Sequence, residues 1–133
     1  MYSIPNSSNF VTIYTLNNIT LSYKKVTYTV YVPSSNSSGA LTLNFNNGPV
    51  QVHTLSANVS SISTSNIPDG HSLHVIFRSS STSYTRTVAI AHNATTSCCP
   101  EGSALSLTVP KQGSGYTEVD FINVNNIIYV RGV

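Results

Sequence analysis

Charge is what this chain has least of. Ten of its 133 residues are Asp, Glu, Lys or Arg, where an ordinary soluble domain has about a quarter. Acid–base catalysis needs positioned carboxylates, and there are four: Asp69, Glu101, Glu118 and Asp120. That scarcity points away from an enzyme. The six basic residues, Lys24, Lys25, Arg78, Arg86, Lys111 and Arg131, are dispersed. Only the first two adjoin, so the clustered basic face that nucleic-acid binding requires is missing. No apolar run approaches the roughly 18 residues that cross a bilayer. Met1-Tyr2-Ser3-Ile4-Pro5-Asn6 has neither the basic start nor the apolar stretch of a secretory signal, which implies use without such export or an already mature chain. The two cysteines, Cys98 and Cys99, are neighbours before Pro100. A bridge between them would close a strained eight-membered ring, and the spacing fits no zinc motif. They read as ordinary thiols in a loop.

What is abundant is uncharged polarity. Ser, Thr and Asn supply 51 residues, and apolar residues 40%. Hydroxyls and amides must therefore cover the surface, and copies of such a chain repel one another weakly. At this length one domain with one core is expected. Residues 1–9 read as an arm and 10–133 as the domain.

The apolar residues recur with period two, the spacing of one strand face. Phe10 to Tyr14 opens the series, then Val26, Tyr28, Val30 and Val32. Leu41, Leu43 and Phe45 precede the turn signal Asn46-Asn47-Gly48-Pro49. Val50, Val52 and Leu55 follow, then Val59 and Ile62 in a Ser-rich stretch. Pro68-Asp69-Gly70 is a further turn. Leu73, Val75 and Phe77, then Val88 and Ile90, then Leu105, Leu107 and Val109 continue. Val119–Val124 and Ile127–Val130 close the series around Asn125-Asn126 at hairpin spacing. No helical stripe is present. Nine or ten short strands with regular turns predict an all-β chain, an antiparallel β-sandwich of jelly-roll type. Asn93–Ser103 is the longest irregular stretch, a natural place for contacts.

Candidate sites are few. His71 and His74 stand three apart, so on a strand their imidazoles face opposite sides, and no metal is expected. Glu118 and Asp120 share one strand face. They could pair for glycoside chemistry or calcium, but a solvated face opposite Val119 and Phe121 is the simpler reading. Asp69 is placed to cap backbone N–H groups. A convergence of His74, His53 and a carboxylate would revive an enzyme reading. No cofactor is implied. Five sequons begin at Asn6, Asn18, Asn36, Asn58 and Asn93, possible glycosylation sites if the chain meets that machinery.

Thr54–Ile62, then Ser65-Asn66-Ile67-Pro68-Asp69-Gly70, then the strand Ser72–Arg78, Arg86-Thr87-Val88 and the Val119–Val130 hairpin form a pattern. Over about residues 40–133 it resembles the C-terminal β domains of phage tail fibres and other appendages. The small, charge-poor, all-β architecture resembles single-jelly-roll capsid proteins. These resemblances imply a virion structural protein that assembles with copies of itself and other virion proteins, through sheet edges, loops and termini. The contact side chains to expect are Tyr2, Tyr14, Tyr23, Tyr31, Tyr84 and Tyr116. The alternative they imply is a receptor- or glycan-binding domain of an appendage.

Overall fold

The structure, a computed structural model, describes residues 29–98 and 103–132 in full, and residues 10–16 and 19–24 by their strand pairing. Eleven strands are formed among the described residues: β1 (Phe10–Leu16), β2 (Ile19–Lys24), β3 (Val30–Tyr31), β4 (Ser37–Asn44), β5 (Val50–Ser65), β6 (Ser72–Ser79), β7 (Arg86–Ile90), β8 (Thr96–Cys98), β9 (Leu105–Val109), β10 (Thr117–Val124) and β11 (Ile127–Gly132). One 3-10 turn, Phe45–Asn47, is the sole helical element among the described residues. The all-β expectation holds. Strands β1 and β2 pair with each other, and the other nine form one sheet in the order β8-β11-β10-β6-β5-β7-β9, with β3 and β4 also on β5.

That sheet is not the antiparallel one expected. Hairpin partners β10–β11, and the pairs β6–β10 and β7–β9, are antiparallel. Strands β3, β4, β6 and β7 all run parallel to β5, and β8 runs parallel to β11. The result is a mixed sheet nearly closed into a barrel. Period-two patterning carries no information about strand direction, which is why the sequence could not show this.

β5 organises the sheet. Sixteen extended residues would reach about 50 Å. Yet Ser65 lies opposite Asn44, and the chain covers Asn44 to Val50 in a step of at most about 20 Å. The strand must therefore bend strongly. Its burial alternates through Gln51, His53 and Leu55, breaks over the exposed Ser56-Ala57-Asn58, and resumes at Val59. The first half pairs with β6, the second with β4 and β7. A strand that turns a corner between two layers is a recognised way to curve a sheet. Small, polar residues suit the corner, and Asn58 Oδ1 accepts from the Thr87 backbone N–H at 3.0 Å, in place of a ladder bond.

The core lies inside this curve. Leu73, Val75 and Phe77 of β6 face Val119 and Phe121 of β10, and Leu43, Leu55, Val59, Val88, Ile90 and Val109 are among the other residues of the core. The expected turns are present. Asn125 and Asn126 take φ of 51° and 67°, the left-handed pair that a two-residue hairpin needs. Gly48 has φ of 146°, and a Cβ there would lie 2.6 Å from the Thr29 carbonyl oxygen. Only glycine fits. Asp69 caps a backbone N–H as expected, but across the structure: its Oδ1 accepts from Asn125 N at 2.8 Å, tying the β5–β6 turn to the hairpin.

Candidate functional site

Alternate residues of β6, β10 and β11 point away from the core, and there three of the ten charged residues meet a histidine. In register, Asp120 stands between His74 and Arg131, and Glu118 beside Ile76. His74 Nδ1 hydrogen-bonds Asp120 Oδ1, and its Nε2 lies 3.7 Å from Glu118 Oε1. Arg131 donates to Asp120 Oδ2 at 2.9 Å. Two of the chain's four carboxylates thus share one imidazole. Burial would raise the Asp120 carboxyl, but hydrogen bonds from His74 and Arg131, with their charges, outweigh it and hold the carboxyl below its ordinary range. The side chain of Asp120 is 15% exposed and that of Arg131 70%, so the guanidinium reaches outward from a half-sunken acid. Glu118 and Asp120 share a face as expected, but it is a bridged ionic cluster rather than merely solvated.

Next to the cluster on the same face lie Ile122 opposite Tyr129 and Val124 opposite Ile127. Tyr129 and Val124 are exposed. This patch was missed in the sequence because Ile127 to Val130 is one apolar run. Only the register with β10 shows that Val130 turns inward and Tyr129 outward.

His53 does not join His74. It sits on the inner face, opposite Phe77, in a buried polar chain. The Gln51 amide donates to the carbonyls of Asn44 at 2.7 Å and Gly48 at 3.1 Å. Its Oε1 is then free to accept from His53 Nε2 at 3.0 Å. Ser37 Oγ stands 3.4 Å from His53 Nδ1. Burial lowers the pKa of His53, so a neutral imidazole fits this chain, which fastens β4 and the following turn to β5. Histidine 71 lies outside the strand, edge-on to Phe45 at 6.1 Å. No group of three or more His, Cys, Asp or Glu side chains among the described residues is arranged to hold a metal ion.

The other expected site residues scatter. Tyr84 and Tyr116 are 67% and 60% exposed, on the loops before β7 and β10. These loops are joined by Gln112 N donating to the Ser81 carbonyl at 2.7 Å. Tyr31 turns partly inward, its ring T-shaped to His53 at 6.3 Å, and serves packing. Tyr2, Asn6, Asn18 and Cys99 lie outside the described residues, as do residues 1–9 and the side chains of Tyr14 and Tyr23. Asn36 is exposed. Asn58 and Asn93 are exposed too, but their Oδ1 atoms accept backbone N–H bonds, that of Asn58 from Thr87 across the sheet and that of Asn93 from Thr95 and Thr96. Cys98 is buried, and its thiol is pushed up by that burial against a backbone hydrogen bond with Leu105.

Two open grooves of about 490 Å³ each lie at opposite ends of β10. One gathers Arg78, Ser80, Gln112 and Gly115; the other lies at the β10–β11 hairpin. No helix among the described residues is long and apolar enough to cross a membrane. No family model, no curated protein and no solved structure matches the chain.

Proposed function

We propose that the chain is a virion structural protein that self-associates through the outer face of β10 and β11. The observation that carries this reading is the outward-facing row of Ile122, Val124, Ile127 and Tyr129, with Val124 and Tyr129 exposed and the two isoleucines half-buried, beside an ion cluster of both signs. An apolar patch with a polar rim is the usual form of a protein contact. The occupant is a second copy. In a two-fold contact the same patch meets itself, so the outward Arg131 of one copy can approach the Glu118 and Asp120 of the other. The low overall charge leaves little long-range repulsion to oppose it. Tyr84 and Tyr116 supply a further contact at the loop end. The jelly-roll relationship belongs to this proposal, with the antiparallel β6–β10–β11 ladder as one leaf and the parallel contacts of β5 as the departure from it.

Sedimentation velocity over a concentration series, with electron microscopy of the concentrated protein, tests the reading. Dimers or larger assemblies are expected, weakened at least tenfold by Val124→Asp with Tyr129→Asp. A monodisperse monomer at high concentration would overturn it.

A further inference from the structure

We propose that the groove at the β10–β11 hairpin is a binding site for a neutral saccharide. Its walls come from three places in the chain: Thr64, Ser65 and Asn66 at the end of β5, Thr95 and Thr96 leading into β8, and Asn123 and Asn126 of the hairpin. Ile62, Ile67 and Ile128 supply the apolar part. No charged side chain and no aromatic ring lines it. A phosphate, carboxylate or ammonium brought there would lose water and gain no counter-charge, and a flat base would find nothing to stack on. A sugar ring has what the walls match, hydroxyls for the amides and hydroxyls, and C–H faces for the isoleucines. The volume of about 490 Å³ lies within the ~300–1,000 Å³ of ordinary ligand sites.

Part of the hydrogen-bonding capacity is also unused, although the Thr95 hydroxyl donates to Asn93 Oδ1 and the Ser63 hydroxyl pairs with Thr42. The hydroxyls of Thr64, Ser65 and Thr96 make no hydrogen bond to the described residues, and Asn66 donates to Asn44 Oδ1 at 3.0 Å, leaving its own Oδ1 available. Asn123 is the independent sign. It is 8% exposed, donates through Nδ2 to the Ile67 carbonyl at 2.7 Å, and has no partner for Oδ1 among the described residues. A buried acceptor without a donor is unfavourable by about 1–3 kcal/mol and needs a reason. Oδ1 is closed off from solvent, and Asn123 itself borders the groove. The walls are braced by local bonds: Asn93 Oδ1 accepts from Thr95 and Thr96 N, and Gly70 N donates to the Asn123 carbonyl.

The test is a titration of the full-length, isotope-labelled protein, followed by amide NMR shifts. The probes are glucose, galactose, mannose, N-acetylglucosamine and lactose, preceded by a broad array of neutral glycans. Saturable shifts confined to residues 62–67, 93–96 and 123–128 are expected. Thr64→Val with Thr96→Val keeps side-chain volume and should weaken binding about tenfold, the loss of two hydrogen bonds. The spectrum itself reports whether this variant folds. Glucose 6-phosphate should bind more weakly than glucose. No saturable shift with any neutral sugar, shifts elsewhere, or unchanged affinity in the folded double variant would each overturn the proposal. Such failure leaves self-association untouched, because Val124, Tyr129 and Arg131 lie outside this groove.

Discussion

The two faces of the β6–β10 ladder are made by the same strands, one residue out of phase, and share almost no chemistry. Inside, Leu73, Val75 and Phe77 meet Val119 and Phe121, all fully or nearly fully buried. Outside, His74, Glu118 and Asp120 form a linked ionic group with Arg131 beside exposed Tyr129. In a chain so short of charge, the outer face is where acids, an imidazole and a guanidinium meet. Stability should therefore reside inside and specificity outside. Exposed ion pairs contribute little to folding, whereas buried aromatic rings contribute several kcal/mol.

The largest effect is expected from Phe77→Ala, a loss of about 3–5 kcal/mol in chemical denaturation. Next comes Gln51→Met, which keeps volume but strands the Asn44 and Gly48 carbonyls and His53 Nε2. It should lower stability by about 1–3 kcal/mol in the same assay. Asp120→Asn should cost about 1 kcal/mol, since the carboxylate is only partly screened, and Arg131→Ala no more than ~0.5 kcal/mol. If either matched Phe77→Ala, the division between the faces would fail.

Acid separates the faces a second way. The native pKa of His53 lies below its ordinary 6.5, so the unfolded chain takes up that proton first. Its contribution is whole above pH 6.5 and fades as pH falls below it. For Asp120, lowered from 3.8, the contribution is whole above 3.8 and is lost as pH falls further. The thermal midpoint should fall in two stages, and Asp120→Asn should remove the second alone. A single stage abolished by that variant would assign the acid response wholly to the outer face.

Local features were legible in the residues. The alternation of Leu73, Val75 and Phe77 showed a strand with one buried side, and Asn125-Asn126 and Pro68-Asp69-Gly70 marked real turns. What depends on partners was not. Strand direction, the Asp120–His74 pairing over 46 positions and the outward Tyr129 all follow from register between distant segments, which a period-two pattern leaves open. Val59 and Ile62 read as a separate Ser-rich stretch, yet they continue β5 past its corner. The hydrophobic spacing breaks there because three exposed residues in succession carry the bend. Tyr31 looked like a surface aromatic but leans on His53, a contact no local pattern contains.

The corner in β5 also sets a timetable. Its first half finds β6 only once Ser72–Ser79 exists, and its second half meets β7 only at Val88. As the chain emerges from the ribosome, β5 has β3 and β4 beside it and must wait for the rest, with both arms of the bend incompletely matched. Distant, parallel partners make such docking slow. The strand that organises the sheet thus takes partners from both sides of itself in the chain, and its pairing is finished only when β7 is made.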